Sequence, residues 1–370
     1  MNAQEHFVNL IQASEEIIKL RREEFNIIDL HHLNDLQISE LRSLLQKYFQ
    51  VFSSSPKTLG HTDKIIPDLQ FHSNYPVKAL PLPIPFALHE ETKNQLNILQ
   101  EAGIITKSIS QWSSPLLLVK KKQSAPNAKP QYRLTIDMRL INSLLKQSNY
   151  PLPIINNILT SLSKYKYFSS LDFSNAFWQI SLPEKYRDIL TFSTPFGAYK
   201  FNRLIFGLKN SSALFQSMID SIIEESSLEG VYAFQDDVIV GANSFKETTE
   251  KLTKLFELFL KYNLTLSPNK CSFHKNTINY LGFNIKQNKI SPLQSNIEKI
   301  TAFALPNTAT QLKKFIGLAN FYRSLIPNFA ILIKPLIEAA TSKNRFKLLP
   351  HHVEAFKKIQ NIFFNSPFIL

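Results

Sequence analysis

Residues 230–243 read GVYAFQDDVIVGAN, with an apolar run on each side of two adjacent aspartates, Asp236 and Asp237. The economical interpretation is two strands joined by a turn that contains both carboxylates, because aspartate tolerates turn geometry. A solvated surface turn would carry the same dipeptide. The apolar runs, however, predict buried flanking strands, so the pair is expected at a tight turn between core strands.

A third carboxylate, Asp172, ends the strand-like run YFSSLDF at residues 167–173. If this strand is a neighbour of the Asp236–Asp237 hairpin in one sheet, the three carboxylates converge. Clustered carboxylates repel one another unless a hard cation neutralises them, and Mg²⁺ takes oxygen ligands while keeping positions open for phosphate. Two such ions would hold the attacking and leaving oxygens of a phosphoryl transfer.

The surrounding pattern mixes strands and helices in the order typical of an α+β domain. Helices are expected from about Ser174, over 210–225 and over 245–262, and residues 1–50 and 291–370 are expected to be mainly helical. The runs PLLLVKKK and YRLTIDM predict a long hairpin. The proline-rich residues 61–87 predict an ordered strap on a larger body, with a flexible linker as the alternative.

Positive charge is concentrated in two blocks. The chain has 370 residues and a net charge of +13. Residues 101–150 and residues 301–370 hold most of the excess, and the rest of the chain is close to neutral. Two separated basic surfaces suggest a polyanion bound at two places, because phosphate neutralisation dominates nucleic-acid affinity. Solubility alone is the alternative explanation.

Several classes of protein lack support in the composition. The single cysteine, Cys271, excludes an internal disulfide and a cysteine-rich zinc site. There is no G-x-G-x-x-G or G-K-[ST] string for dinucleotide or P-loop chemistry. No apolar run is long enough for a membrane helix, and the N-terminus does not read as a secretory signal. We therefore expect a soluble, intracellular protein.

Four stretches in order resemble the motif set of the reverse transcriptases of gypsy-like LTR retrotransposons. They are LDFSNAFWQI (171–180), FGLKNSSALFQSMI (206–219), AFQDDVIV (233–240) and INYLGFNI (278–285). The resemblance extends over about residues 35–370, including ITKSISQWSSPLLLVKKK (105–122) and LKKFIGLANFYRSLIPNFAILIKPL (312–336). It implies a right-hand polymerase fold of fingers, palm and thumb, with an antiparallel palm sheet and a C-terminal helical thumb or connection region.

The resemblance also implies a domain plan and a function. Residues 1–100 would form an N-terminal helical and proline-rich strap, 101–285 the fingers and palm, and 286–370 a thumb-like or connection-like region truncated before ribonuclease H. The activity implied is that of an RNA-directed DNA polymerase that adds dNTPs to a primer 3′-OH with two Mg²⁺ ions, Mn²⁺ being an alternative. The implied partners are an RNA or DNA template-primer, dNTPs and other Pol domains (protease, ribonuclease H, integrase), with no membrane. The implied location is the cytoplasm or a virus-like particle, with nuclear entry as an alternative.

Site residues follow from the resemblance position by position. Asp172, Asp236 and Asp237 match the catalytic, metal-binding aspartates, with the first two favoured as direct ligands and the backbone carbonyl of Phe173 as an added ligand. The expected nucleotide pocket consists of Arg133 at the triphosphate, Phe177 as the steric gate beneath the deoxyribose, Phe206 and Gly207. The expected primer grip is Tyr280, Leu281 and Gly282. The lysines with candidate roles at template or triphosphate are Lys120, Lys121, Lys122 and Lys270.

Some positions depart from the family pattern. Ile205 stands where proline is usual, Ser211 and Ser212 replace Ala-Pro, and Phe234 replaces tyrosine; none of these removes a carboxylate. Two other functions stay open: a non-catalytic nucleic-acid-binding subunit or inactive retrotransposon remnant, and an RNA-templated RNA polymerase. The intact aspartates argue against the first, and Phe177 argues against the second.

Overall fold

The computed structural model describes residues 30–120, 130–342 and 346–365. Its α-helices are α1 (Asp35–Lys47), α2 (His89–Glu101), α3 (Arg139–Leu144), α4 (Ile155–Ser163), α5 (Glu184–Arg187), α6 (Ser211–Ser226), α7 (Phe245–Lys261), α8 (Gln294–Thr301), α9 (Ala309–Asn320), α10 (Phe329–Thr341) and α11 (Pro350–Asn365). Its strands are β1 (Ile105–Lys107), β2 (Ser114–Lys120), β3 (Tyr132–Ile136), β4 (Tyr167–Asp172), β5 (Thr191–Thr194), β6 (Gly197–Phe201), β7 (Val231–Phe234), β8 (Asp237–Ala242), β9 (Ser272–Lys275), β10 (Thr277–Tyr280), β11 (Phe283–Lys286) and β12 (Lys289–Pro292). Two parts of the sequence-based prediction lie outside the described residues: the lysines Lys121 and Lys122, and the first 29 residues, which were expected to be helical.

Contacts divide the chain into two units, and each unit is discontinuous in sequence. The first takes in the residues up to Leu152 together with Ser170–Val238 and Thr249–Phe273. The second takes in Pro153–Ser169, Ile239–Thr248 and the residues from His274 onward. The domain boundaries expected from the sequence therefore stay a prediction.

A five-stranded sheet in the first unit has the order β1-β6-β5-β2-β3. Its pairs are antiparallel except for β2 with β5. The β2–β3 pair is the hairpin predicted from PLLLVKKK and YRLTIDM, with Val119 opposite Arg133 and Lys120 opposite Tyr132. Arg133 is the exposed residue of β3, whose other residues are half-buried, so its guanidinium is accessible to a ligand.

The proline-rich residues 61–87 form an ordered strap, as predicted. Prolines limit regular structure here, so the strap contacts the body through isolated bridges: Thr62 with Ile180, Phe71 with Leu145, and Lys78 with Ser113. Backbone hydrogen bonds, such as Ala79 N to Ser113 O at 2.9 Å, satisfy polar groups along it. The alternative of a flexible linker is therefore excluded for this segment.

A four-stranded sheet of order β7-β8-β4-β9 carries the predicted carboxylates. A two-residue turn, Gln235 and Asp236, joins β7 to β8, and Asp237 is the first residue of β8. Val238, Ile239 and Val240 are completely buried, which confirms the prediction of core strands beside the aspartates. Because β8 and β4 are neighbours, the strand that begins with Asp237 lies beside the strand that ends with Asp172.

The helix expected from about Ser174 is wrong in kind and length. The chain forms a four-residue 3₁₀-helix, Ala176–Gln179, after Asn175 in the left-handed conformation at φ 44°. Ser174 N instead donates to Thr265 O at 3.0 Å, and the buried Gln179 amide donates to the carbonyls of Ser174 and Thr265, both at 2.7 Å. These tertiary hydrogen bonds hold the backbone out of an α-helix, an outcome that local periodicity does not reveal.

The second unit combines the sheet β10-β11-β12 with helices α8–α11, so the region from 291 onward is helical as predicted. Thr308 caps the N-terminus of α9, and its side chain accepts from Gln311 N. Its buried Phe315 packs on Phe356 of α11, with ring centroids 4.4 Å apart. No described helix has both the length and the apolar character to cross a membrane.

Candidate active site

Asp172 and the Asp236–Asp237 turn are brought together in the first unit. Phe173 N, one residue beyond Asp172, donates to Asp236 O at 3.2 Å, and Asp172 O accepts from Ser267 N at 2.8 Å. The Phe173 ring is buried and packs edge-on against Phe215 and Phe259 at 5.3 and 5.1 Å. The end of β4 is thus fixed by the core on one side and by the aspartate turn on the other.

Lys270 lies at this cluster. Its Nζ is 2.9 Å from Asp172 Oδ1, and the Asp172 side chain is 16% exposed. Lys270 ends a short 3₁₀-helix, Pro268–Lys270. One ammonium therefore faces three carboxylates, and the cluster retains a net negative charge.

The shifted pKa values report burial first and that excess of negative charge second. Burial, together with the charges of Asp236 and Asp172, raises the pKa of Asp237 to about 6. Burial also raises the pKa of Asp172, and the hydrogen bond from Lys270 offsets part of the rise. Burial works against the charge of Lys270, but its bond to Asp172 and the nearby carboxylates outweigh that effect and raise its pKa. Added positive charge would reduce the repulsion among the three carboxylates.

The donor set fits a hard, partly hydrated cation. Within the described residues, no group of three or more His, Cys, Asp or Glu side chains is arranged so that it could hold a metal ion. Mg²⁺ does not require one, since it is commonly held by one or two carboxylates and completes its octahedron with water and substrate phosphates. Carboxylate oxygens whose ionisation is opposed by their neighbours are suitable ligands for such an ion.

Gln216 supports the aspartate turn, and sequence reasoning missed it. Its amide is completely buried in α6; Oε1 accepts from Gln235 N at 2.7 Å and Nε2 donates to Ala233 O at 3.2 Å. Gln235 has φ 56°, a left-handed conformation that costs free energy for a non-glycine residue. The Gln216 amide thus stabilises the strained residue just before Asp236.

Phe177 and Phe206, both expected in a nucleotide pocket, are in contact. Their ring centroids are 4.6 Å apart, and Phe177 also packs on Phe215 at 5.9 Å. Phe177 is 7% exposed whereas Phe206 is 48% exposed. Gly207, which follows, has φ 85° and turns the chain toward α6. The 3₁₀-helix therefore holds the Phe177 ring in a buried, packed position, and the exposed ring of Phe206 lies beside it.

Arg133 lines a cavity of about 940 Å³ that also includes Asn175 and Trp178, the residues on either side of the Ala176–Phe177 pair. Glu91 of α2 lies in the same cavity and is tied to β3 through Gln95, whose Nε2 donates to Glu91 Oε1 at 2.6 Å and to Tyr132 O at 3.0 Å. Sequence reasoning missed Asn175, Trp178, Glu91 and Gln95. Only the position of Trp178 next to Phe177 offered a signal for any of them.

The predicted primer-grip residues form a turn in the second unit. Tyr280 ends β10, and Leu281 and Gly282 make the two-residue connection to β11. Tyr280 is buried, while Leu281 is half-buried at the tip. The segment is thus a tight hairpin end with a fixed shape. Its role, like those of the lysines, stays a prediction.

These features define a polymerase fold with a carboxylate-bearing palm hairpin. A solved structure, the foamy viral protease-reverse transcriptase dRH in complex with ds DNA, matches with a TM-score of 0.80 and 24% identity, covering 95% of this chain and 60% of that one. The foamy viral protease-reverse transcriptase in complex with RNA/DNA hybrid matches at 0.78 and 24%, covering 96% and 46%. The expected α+β polymerase fold is therefore confirmed.

Residues 119–285 match the family described as reverse transcriptase (RNA-dependent DNA polymerase), and this segment of the chain belongs to that family. The retrovirus-related Pol polyprotein from transposon 412 of Drosophila melanogaster is 36% identical over 294 residues, 79% of this chain and 24% of that protein. The one from transposon 297 of the same organism is 28% identical over 358 residues, 96% of this chain and 34% of that protein. The chain thus spans about a quarter to a third of these relatives.

Proposed function

We propose that this chain is the polymerase segment of a gypsy-like retrotransposon Pol polyprotein and acts as an RNA-directed DNA polymerase. The observation that carries the proposal is the carboxylate cluster of Asp172, Asp236 and Asp237 at adjoining strand ends. It lies inside the stretch that matches the reverse transcriptase family. The reaction would add dNTPs to a primer 3′-hydroxyl: the 3′-oxygen bonds to the α-phosphorus, its proton passes to solvent, and pyrophosphate leaves.

The cluster would hold a pair of Mg²⁺ ions, with Mn²⁺ as an alternative. Asp172 and Asp236 would be direct ligands, with Asp237 and the Phe173 carbonyl beside them. Such ions, when bound, lower the cost of negative charge on the attacking and leaving oxygens. The protein contributes a fixed geometry, because the Phe173 ring and the Gln216 amide hold β4 and the aspartate turn in place.

The Phe177 ring would select the nucleotide by its sugar. A buried aromatic ring with rigid neighbours leaves no room for an added hydroxyl, and this favours deoxyribose over ribose. Arg133 would contact the triphosphate, since a planar guanidinium donates two parallel hydrogen bonds to phosphate oxygens. Its exposed position on the cavity beside Asn175 and Trp178 supports this role.

The template-primer would be held by basic residues in both blocks. Lys313 and Lys314 of α9 are exposed and have no ion-pair partner among the described residues. Gly317 lies on the same side of the helix, and a Cβ there would meet nothing within 4 Å. A mid-helix glycine costs ~1 kcal/mol relative to alanine, and no neighbour within the described chain requires it. Close approach of a phosphate backbone to this helix would account for the glycine.

The cellular setting is part of the proposal. The relatives are Pol polyproteins of which this chain spans about a third or less. Partners would therefore include protease, ribonuclease H and integrase domains of the same polyprotein. The work would take place in the cytoplasm or in a virus-like particle, with nuclear entry as the alternative.

Primer extension tests the function. The purified chain is incubated with a labelled DNA primer on an RNA or a DNA template, with Mg²⁺ and either dNTPs or rNTPs, and Asp236→Asn is run beside it. Extension on both templates with dNTPs, absent in the variant, supports the proposal. Template binding without extension would instead favour a non-catalytic subunit or an inactive remnant.

A further inference from the structure

The Leu281–Gly282 turn has an unusual backbone. Leu281 has φ 46° and Gly282 has φ 84°, so both residues of the two-residue connection lie in the left-handed region. Hairpin turns of this type favour Asn-Gly or Asp-Gly, and leucine there is strained. A strained residue persists only where surrounding contacts hold it, and such positions concentrate at functional sites.

Tyr322 supplies one of those contacts. Its Oη donates to Gly282 O at 2.8 Å and accepts from Asn296 Nδ2 at 2.7 Å. Tyr322 follows the end of α9, and Asn296 lies in α8. The ring is 2% exposed and packs edge-on against Phe283 at 5.2 Å. A single buried hydroxyl therefore joins the turn to two helices.

Phe321 contacts the turn from the same segment. Its ring stacks on Phe283 at 5.4 Å. A Cβ on Gly282 would come within 3.0 Å of Phe321 Cε1, so the ring occupies the space that any larger residue would need. Phe321 and Tyr322 thus both pack against the turn.

We infer that Tyr322 is a positioning residue for the primer: its hydroxyl locks the Leu281–Gly282 turn to α8 and α9, so that turn and helices hold the primer strand as one rigid piece. The inference rests on the proposed polymerase function. Tyr322 touches neither substrate nor metal in this role and acts through the backbone of Gly282. Without its hydroxyl, the one hydrogen bond that Gly282 O keeps from the described part of the chain is the longer one from Leu293 N at 3.3 Å.

The test compares Tyr322→Phe with Tyr186→Phe in the full chain. Tyr186 is a matched control, because it is 7% exposed and its hydroxyl donates to Asp68 Oδ1 at 2.7 Å, away from this turn. The readouts are KM and kcat for primer-template, KM for dNTP, thermal stability, and amide hydrogen exchange of residues 278–286. A 2-aminopurine at the primer 3′ end reports the placement of that end without catalysis.

Tyr322→Phe should lower kcat/KM for primer-template about tenfold, the weight of one buried hydrogen bond, and leave the KM for dNTP unchanged. Exchange at the turn should become faster and the 2-aminopurine signal should change, with neither effect in Tyr186→Phe. Asn296→Ala should produce the same loss, and the double variant should lose no more than either single one.

Equal losses in Tyr322→Phe and Tyr186→Phe, or unchanged exchange at the turn, would overturn the inference and leave the polymerase proposal standing. No extension by the unmodified chain would overturn the polymerase proposal. In that case the exchange measurement alone still decides whether Tyr322 locks the turn.

Discussion

Lys270 Nζ lies 2.9 Å from Asp172 Oδ1, so the carboxylate that ends β4 is paired with an ammonium from the Pro268–Lys270 turn. The pair neutralises one charge of three. A divalent cation and this ammonium therefore relieve the same repulsion, and the two are expected to be partly interchangeable in their effect on stability.

Lys270→Met should consequently make the protein depend more on divalent cations. We expect a loss of ~0.5–1 kcal/mol without Mg²⁺, since the lysine is largely exposed and solvent screens the pair. The rise in thermal midpoint on adding MgCl₂ should be larger in the variant than in the unmodified chain, as measured by scanning fluorimetry. Lys200→Met, which breaks the pair with Asp188 at 2.8 Å, is the control and should respond to Mg²⁺ normally. Identical Mg²⁺ responses in the two variants would contradict this interpretation.

Asp172→Asn and Asp236→Asn should each abolish DNA synthesis while leaving template-primer affinity within about twofold. Each change removes an anionic ligand and leaves the basic surfaces intact. Steady-state extension and fluorescence anisotropy measure the two properties on the same preparations. Substantial residual extension by either variant would remove that aspartate from the proposed ligand set.

The raised pKa of Asp237 predicts how the stability of the fold changes with pH. Its pKa is raised to about 6, above the value of an unfolded aspartate, so the protonated form stabilises the fold at low pH and this stabilisation is lost as pH rises through 6. Asp237→Asn does not titrate and should gain stability relative to the unmodified chain, by ~1 kcal/mol between pH 5 and 7.5 after allowance for solvent screening. Urea unfolding in EDTA measures this difference.

Glu225 provides the opposite case as a control. The hydrogen bonds from Lys261, Tyr262 and Lys64 lower its pKa to about 2, so its contribution is present above the usual glutamate pKa and lost only as pH falls toward 2. Glu225→Gln should therefore cost the same at pH 5 and pH 7.5. A gain for Asp237→Asn that did not grow with pH would show that repulsion in the cluster is weaker than its geometry indicates.

The contrast between Asp237 and Gln216 shows what the sequence can predict. Two apolar runs around an aspartate pair predict a buried hairpin, because strand burial leaves a local pattern. Gln216 is an isolated amide on a helix, and nothing local indicates that it bonds Gln235 N nineteen positions later along the chain. The fold and the carboxylates were therefore accessible from pattern and resemblance, whereas the groups that hold them in place depend on tertiary contacts.

The backbone conformation at Asn175 likewise could not be predicted from the local sequence. The run after Asp172 has helical periodicity, yet Asn175 adopts φ 44° and Gln179 bonds to Thr265. Residues far along the chain thus decide the conformation beside the predicted gate. In the strap, by contrast, the local sequence was enough to predict the conformation. Prolines disfavour both helices and the interior of sheets, whatever the segment packs against.

Phe177→Val should relax sugar selection. Removing the ring opens space beside Phe206, so the preference for dNTP over rNTP should fall at least about tenfold, or ~1.4 kcal/mol. Removal of the buried ring should also destabilise the protein by ~1–3 kcal/mol. Single-nucleotide incorporation with dNTP and rNTP measures selection. Phe192→Val removes a ring that is 1% exposed in the β5 strand and should lower stability without changing the sugar ratio. A ratio that stays constant in Phe177→Val would place the gate elsewhere.

The last prediction concerns the two basic blocks and the way a polymerase holds its duplex. A neutral body whose carboxylates would serve metal ions needs cations elsewhere to bind phosphates, and Lys313 and Lys314 of α9 are exposed. Replacing both with glutamine should weaken binding to an RNA/DNA primer-template and reduce the salt slope, by roughly 0.9 for each phosphate that is no longer neutralised if the B-DNA coefficient applies. Products made per encounter should become shorter, with nucleotide selection unchanged.

Two further variants separate direct phosphate binding from net charge. Lys357 and Lys358 form another exposed adjacent pair, on α11, and their replacement removes the same charge; a similar fall in salt slope there would indicate general attraction and not phosphate binding at α9. Replacing Lys120, Lys121 and Lys122 should weaken binding and also raise the KM for dNTP, because the resemblance places these lysines near template or triphosphate. If the α9 variant keeps both its affinity and its salt slope, Lys313 and Lys314 form a solvated face and do not hold the duplex.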